Sequence, residues 1–212
     1  MRKRISLPMV ATAMLMCAAN SHAFEFAVNG GFETGDFTGW TQFPSAGTTQ
    51  SIVTFNPSTG TYAANMGINV GAGAVNNVLK NANLGAGILM PGQTVSVSFD
   101  VRGSLGPGAV LFAENFSELA GGGVSFNDLL NVSGSINADP DVWTTVAYDT
   151  VLGPDVSGGF TLQFALVCGA VMDCGADVYL DNVSIDAVPI PGAVWLLGSA
   201  LGLLGWMKRR AA

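Results

Sequence analysis

The chain has 212 residues, of which 49% are hydrophobic, only 11% are charged and 28 are glycine, which argues against both a disordered polymer and a helical bundle. Only two basic residues but all fifteen acidic ones lie between the basic ends of the chain, so this middle part carries a formal charge of −13 and repels nucleic acid. The single histidine, His22, precedes an expected cleavage site, so Ser-His, Cys-His and His-metal mechanisms lack their central residue in the exported protein.

Residues 1–23 have the three parts of a secretory signal peptide. A basic start at 2–4 is followed by an apolar stretch of about a dozen residues, which is short for a membrane anchor. Small residues, Ser21 and Ala23, then occupy the third and the first position before a cut. We therefore expect cleavage between Ala23 and Phe24 and export of the rest of the chain.

The body of the chain, residues 24–187, alternates apolar and polar residues as antiparallel β-strands do. The clearest runs are 94–101 and 160–166, in which every second residue is apolar. The segment 126–131 has helical spacing, and we expect a short helix there. Six further strands are expected between turns rich in Gly, Pro and Asn, at 50–55, 61–66, 75–80, 108–113, 142–149 and 177–187. The fold class predicted is all-β, an antiparallel β-sandwich forming one domain.

Two stretches near the ends of the body sharpen this prediction. The run NGGFETGDFTGW at 29–40 and the run VYLDNVSI at 178–185 resemble the opening and closing strands of jelly-roll carbohydrate-binding modules and galactose-binding-like domains. Trp143 lies where many such domains carry a tryptophan. The resemblance implies a jelly roll that binds extracellular polysaccharide, with a purely structural matrix protein and a secreted glycan hydrolase as alternatives.

The same resemblance implies a structural calcium ion. In such domains the first and last strands run close together, and the Glu of a Phe-Glu pair shares the ion with the Asp of an Asp-Asn-Val stretch. These positions are Glu33 and Asp181 here, and oxygen ligands suit Ca²⁺. The alternative is that Glu33 caps a turn and Asp181 accepts backbone hydrogen bonds. The residues alone leave both interpretations open.

Glycan recognition normally needs an exposed aromatic ring beside amide and carboxylate groups. Four rings are candidates, namely Trp40, Tyr62, Trp143 and Tyr148. Trp40 and Trp143 flank apolar strands, which favours a place in the core over one on the surface. The sequence assigns none of the four to a binding face.

Two pairs of acidic residues are close in sequence, Asp139 with Asp141 and Asp177 with Asp181. Glycoside hydrolysis uses two carboxyl groups whose pKa values differ. A chain with fifteen acidic residues contains such pairs by chance, and no neighbouring residue separates their pKa values. We therefore expect no enzymatic activity.

Cys168 and Cys174 are the cysteines that follow the signal peptide. An even pair in an exported chain, flanking a glycine-containing loop, predicts a disulfide between the last two strands. A thiol metal or redox site is the alternative, but two thiols without histidine make an incomplete zinc site.

The segment 188–212 opens with a short proline-glycine motif: Val188, Pro189, Ile190, Pro191 and Gly192. An uncharged run to residue 207 and three basic residues follow, in an order that closely resembles PEP-CTERM sorting tails opening Val-Pro-Leu-Pro-Gly-Ala-Val-Trp-Leu. The resemblance implies that an exosortase cuts near the motif, after a transient stay of the transmembrane helix in the inner membrane, and that the body reaches the cell surface. An ordinary single-pass anchor is the alternative.

Overall fold

The computed structural model describes residues 24–137 and 139–187, and these form eleven β-strands and one 3₁₀ turn, Ser133–Ser135. The strands are β1 (Phe24–Glu25), β2 (Trp40–Pro44), β3 (Thr48–Val53), β4 (Ala63–Ile68), β5 (Val75–Leu84), β6 (Thr94–Leu105), β7 (Ala109–Glu118), β8 (Val124–Asn131), β9 (Thr144–Val151), β10 (Gly159–Cys168) and β11 (Ala176–Ala187).

The strands form two antiparallel sheets that pack face to face as a β-sandwich. Sheet A has the order β3-β4-β11-β6-β9, with β1 also paired to β11. Sheet B has the order β2-β5-β10-β7-β8. Phe24 pairs with Ala187, so the first and last described residues are neighbours. The prediction of an antiparallel sandwich is confirmed.

The core lies between the inner faces of the two sheets. Along β6 from Thr94 to Val101 alternate side chains are buried, as the period of a strand requires, whereas β10 is buried on both faces. Phe99 and Phe164, from opposite sheets, meet edge to face with ring centroids 4.8 Å apart. Burial of such a side chain contributes about 1.5 to 3 kcal/mol. Asn77 on β5 also links the two sheets by hydrogen bonds, because its amide donates to the Thr49 and Gly67 carbonyls of sheet A.

All eight predicted strands overlap observed ones, but the helix predicted at 126–131 is wrong. This segment belongs to β8, which pairs with β7 from Phe112↔Asn131 to Glu118↔Val124. An isolated six-residue helix is too short to be stable, whereas the free edge of β7 supplies backbone partners for a strand. The strands β1 and β2 are not predicted by the alternation.

The predicted processing segments lie outside the described residues. This applies to the signal peptide 1–23, to the motif 188–192 and to the rest of the tail up to residue 212. Within the two described ranges, no helix is long and apolar enough to cross a membrane.

Candidate functional site

The outer face of sheet B carries a row of three polar side chains that crosses three neighbouring strands. Lys80 on β5 pairs with Gln163 on β10, and Gln163 pairs with Glu114 on β7. Because paired residues of adjacent strands share a face, the three side chains lie side by side. The Gln163 amide donates a hydrogen bond to the Glu114 carboxylate. We call Lys80, Gln163 and Glu114 the polar row.

Phenylalanines flank the polar row on both sides. Phe43 on β2 is 52% exposed. Phe112 and Phe116 on β7 alternate with the buried Ala113 and therefore point outward. The Lys80 ammonium nitrogen lies 5.9 Å from the Phe43 ring centroid and 5.3 Å from that of Phe116. The cation therefore sits between two aromatic rings, each of which contributes about 0.5 to 1 kcal/mol at an exposed site.

An open depression of about 450 Å³ adjoins the polar row. Its lining residues are Phe43, Pro44, Ser45, Asn76, Val78, Lys80 and Gln163. A depression of about 510 Å³ shares Ser45 and Asn76 with it, and one of about 550 Å³ includes Asp173 and Asp177; neither contains an aromatic ring. A depression of about 370 Å³ on sheet A combines Tyr148 with Asp149 and Asp186. The depression beside the polar row thus combines an aromatic ring with charged and amide groups.

The polar row also holds the accessible positive charge of the domain. Of the two cations in the described ranges, Arg102 is only 2% exposed, whereas Lys80 is half-buried and reaches solvent. Burial raises the pKa of the Glu114 carboxyl, and the nearby charge of Lys80 opposes that shift. The half-buried ammonium and carboxylate therefore stand in line with the amide of Gln163, a residue that is 9% exposed.

This arrangement suits binding rather than reaction. A flat aromatic ring packs against an apolar ligand face, while ammonium, amide and carboxylate groups exchange hydrogen bonds with hydroxyls. Glu114 is the one carboxylate of the polar row, whereas acid-base hydrolysis of a glycoside uses two.

The four aromatic rings named from the sequence lie elsewhere. Trp40 is 6% exposed and stacks on Phe164 in the core, as its position beside an apolar strand predicted. Tyr148 points inward, where its hydroxyl donates to Asn115 and burial raises its pKa to about 12. Tyr62 is half-buried and packs against the core.

Trp143 belongs to a second aromatic cluster, on the outer face of sheet A. The Arg102 guanidinium lies 3.8 Å from the Tyr179 ring centroid and 5.1 Å from that of Trp143. The Trp143 indole N–H donates to the Asn56 carbonyl. We call Trp143, Arg102 and Tyr179 the arginine stack. Trp143 is therefore half-buried in a local cluster and does not fill the core between the sheets.

Sequence reasoning missed the polar row because it considered only Trp and Tyr as platforms. A usable signal was present in Phe112-Ala113-Glu114-Asn115-Phe116, since alternate residues of a strand share a face. Phe43 had no such signal, because β2 was not predicted.

Glu33 and Asp181 both bind the loop between β3 and β4. Asp181 is fully buried, and its carboxylate accepts hydrogen bonds from the amides of Ser58 at 2.9 Å and Thr59 at 3.1 Å. Glu33 accepts from the amides of Thr61 at 2.9 Å and Tyr62 at 3.0 Å. The geometry thus contains the hydrogen bonds of the alternative interpretation, and calcium binding stays a prediction.

Burial and hydrogen bonds shift the pKa values of the acids at this loop in opposite directions. Burial raises the pKa of Asp181, the three backbone amides that it binds lower it, and the nearby Asp100 raises it. The pKa of Asp100 is itself raised by burial but is lowered overall by hydrogen bonds from Ser58, Thr145 and Asn182. In the part of the chain that the structure describes, no three His, Cys, Asp or Glu side chains form a metal-binding group.

The two acidic pairs named from the sequence have separate partners. Asp177 binds the Asn65 amide and the Tyr179 hydroxyl on the outer face of sheet A, whereas Asp181 binds the β3–β4 loop. Asp139 accepts a hydrogen bond from the backbone of Asp141 in an exposed loop.

The predicted disulfide is confirmed. Cys168 ends β10, Cys174 precedes β11, and their Cα atoms are 5.8 Å apart. The bond closes the loop between the last two strands.

No family model matches the sequence and no curated protein matches it. Several solved structures do match, and they share the fold of this chain. The enzymatically active domain of bacteriophage CBA120 tailspike protein 4 aligns with a TM-score of 0.54 and 13% identity, covering 77% of this chain and 21% of that one. This chain thus spans about a fifth of the tailspike domain.

Two further structures share the fold. The CBM22-1 xylan-binding domain from Paenibacillus barcinonensis Xyn10C aligns with a TM-score of 0.50 and 16% identity, covering 79% of this chain and 96% of that one. The MgGH51 α-L-arabinofuranosidase aligns with a TM-score of 0.52 and 14% identity, covering 80% of this chain and 27% of that one. The sandwich is therefore a jelly-roll fold found both in a carbohydrate-binding module and within enzymes.

Proposed function

We propose that the chain is exported, is processed by an exosortase, and displays a non-enzymatic sandwich that binds extracellular polysaccharide along the polar row. The observation that carries the proposal is the position of Lys80, Gln163 and Glu114 on the outer face of sheet B, between the exposed Phe43 and the half-buried Phe116. The xylan-binding domain of Xyn10C aligns with 79% of this chain and shares its fold, which supports the same ligand class.

An open face suits a polymer better than a small molecule. Sugar rings have apolar C–H faces that pack on Phe43 and Phe116, and hydroxyl groups that bond to the polar row. Because the depression is open, a long chain can cross sheet B without its ends having to fit a closed pocket. This supports polysaccharide over a monosaccharide.

Features of the sequence support export and sorting. Residues 1–23 have the three parts of a signal peptide, with the small residues Ser21 and Ala23 before the expected cut. The tail itself supports the proposal through its resemblance to sorting tails.

Polysaccharide binding is tested by a glycan array and by pull-down with insoluble polysaccharides. Phe43→Ala removes one ring of the binding face, and we expect affinity to fall about tenfold, because an aromatic contact with a sugar ring is worth about 1 kcal/mol or more. Phe55→Ala is the matched control, since Phe55 is 71% exposed in the β3–β4 loop, away from sheet B. Equal effects of both variants, or no binding by the parent, would contradict the proposal.

Sorting is tested by mass spectrometry of the surface or released protein. We expect the mature chain to begin at Phe24 and to lack the apolar and basic tail from residue 193 onward. Pro191→Ala should leave full-length chain in the inner membrane. Recovery of Trp206 in released protein would contradict exosortase processing.

A purely structural matrix role is the second candidate, and β8 favours it. Within residues 24–137 and 139–187 this edge strand pairs only with β7, and it exposes Val124, Phe126 and Leu129. Unpaired edges with apolar side chains associate with other strands. Concentration-dependent association that Phe126→Lys abolishes, together with an empty glycan array, would favour this role.

A further inference from the structure

We infer that Lys80 gives the binding face a preference for glycans that carry isolated carboxylate groups on an otherwise uncharged chain. The inference rests on the proposed function, because it names the ligand class of the same face. It concerns a specificity-determining residue and the substituent that this residue recognises.

The Lys80 ammonium is held in place but has no protein acceptor. The rings of Phe43 and Phe116 lie on either side of it at 5.9 and 5.3 Å. The ion pair found in the described ranges joins Arg102 to Asp141, and Lys80 takes part in no protein hydrogen bond there. An ammonium group has three donors. All three are therefore free for a ligand that reaches the polar row.

Glu114 does not accept a hydrogen bond from the Lys80 ammonium. Its carboxylate takes its hydrogen bond from Gln163, which lies between Glu114 and Lys80 in the row. Two strand spacings, about 10 Å, separate the backbones of Lys80 and Glu114. The row thus presents a cation at one end, an amide in the middle and an anion at the other end.

A carboxylate is the group that gains most from the cation end. A hydrogen bond between an ammonium and a carboxylate is about twice as strong as one between neutral groups. Two aromatic rings exclude part of the water around Lys80, which reduces the screening of that bond. A hydroxyl of an uncharged sugar accepts from the same donor with less gain.

A densely charged glycan is disfavoured by the rest of the domain. Lys80 is the accessible cation in a body of formal charge −13, and Glu114 and Glu118 lie on the same face. Charges on neighbouring sugars would fall within the screening length of about 8 Å from these acids. One carboxylate seated at Lys80 avoids that repulsion, which is why the preferred chain carries its charges far apart.

The test compares two forms of one polymer. Glucuronoxylan carries scattered carboxylates on an uncharged backbone, and chemical reduction of the carboxyl groups yields the same polymer without charge. We expect the mature protein to bind the carboxylated form at least about tenfold more tightly than the reduced form. Polygalacturonate, with a charge on every sugar, should bind more weakly than glucuronoxylan and gain affinity as salt is added.

The variant that isolates the charge is Lys80→Met. Methionine keeps an unbranched apolar side chain between the two rings but has no ammonium. We expect this variant to bind both forms of the xylan with the same affinity, no higher than the affinity that the parent shows for the reduced form. Glu114→Gln removes the nearby negative charge and should strengthen binding of the carboxylated form alone.

Three outcomes would overturn the inference. The first is equal affinity of the parent for the two forms, or an equal loss of affinity for both forms in Lys80→Met. Either result would contradict the charge preference but not glycan binding itself. Binding of neither form, while other array glycans bind, removes this ligand class only. Binding of no glycan at all removes the proposed function as well.

Discussion

The two outer faces of the sandwich use the same pair of chemical groups in opposite ways. On sheet A, Arg102 is stacked against two rings, is 2% exposed, and donates to the carbonyls of Phe55 and Pro140. On sheet B, Lys80 lies between two rings but has no hydrogen-bond acceptor among the described residues. Arg102 donates from both terminal nitrogens to loop carbonyls, although its Nε has no hydrogen-bond partner in the described residues. A cation that binds loop carbonyls stabilises the fold, whereas one whose donors are free is available for a ligand.

The largest expected effect is on stability and separates the two cations. Arg102→Met leaves two loop carbonyls without their donor and loses two ring contacts, so we expect the free energy of unfolding to fall by about 3 kcal/mol. Lys80→Met is the matched substitution on the other face; it loses two ring contacts but leaves no carbonyl without its donor, and it should lower this free energy by about 1 kcal/mol. Denaturant unfolding of both variants measures the difference. Similar losses for the two would contradict the comparison.

The second prediction concerns the β3–β4 loop, which Arg102 holds at Phe55. If calcium also binds Glu33 and Asp181 beside this loop, a hundredfold excess of calcium over its dissociation constant should stabilise the folded state by about 2.7 kcal/mol. Glu33→Gln should abolish the part that depends on calcium, because the site loses one of two charged ligands. Calorimetric unfolding with calcium and then with chelator measures this.

The competing account of that loop makes a distinct prediction. Carboxylates that only accept the observed amide hydrogen bonds stabilise the loop without metal. Glu33→Gln and Asp181→Asn would then lower the unfolding temperature, and the parent protein would give coincident curves with calcium and with chelator. Coincident curves would leave the hydrogen bonds as the sole role of the two acids.

The smallest expected effect is a pH dependence on the sheet B face. Burial raises the pKa of Glu114 in the folded state, so its ionised form costs stability above that pKa. This cost in folding stability disappears as the pH falls below the pKa that the Glu114 carboxyl has in the unfolded chain. Glu114→Gln should therefore unfold at a higher temperature than the parent at pH 7 and at the same temperature at pH 3. A gain that grows toward acid pH would contradict this assignment.

The sequence predicts the fold better than the site, for a physical reason. Strands such as 94–101 and 160–166 can be predicted because each contains its own alternation of apolar and polar residues. The cysteine pair is likewise a local signal in an exported chain. The segment 126–131 was misassigned because an edge strand, exposed on both faces, has no alternation to display.

The proposed binding face is assembled from residues far apart in the chain. Phe43, Lys80, Glu114 and Gln163 meet only through the strand order β2-β5-β10-β7. No local pattern contains that order or the register that aligns the side chains. The four tryptophan and tyrosine candidates were chosen by residue type, and the structure places the exposed rings on phenylalanines instead.

The most direct test of polysaccharide binding on sheet B is a map of amide chemical shifts. Residues 24–187, which have their own core, would be labelled with nitrogen-15 and titrated with a hexasaccharide from a polysaccharide that the protein retains. The account predicts that shifts concentrate on β2, β5, β10 and β7 around the polar row and spare the arginine stack. Shifts that concentrate on Trp143 and Tyr179 would contradict it and would place the ligand on sheet A.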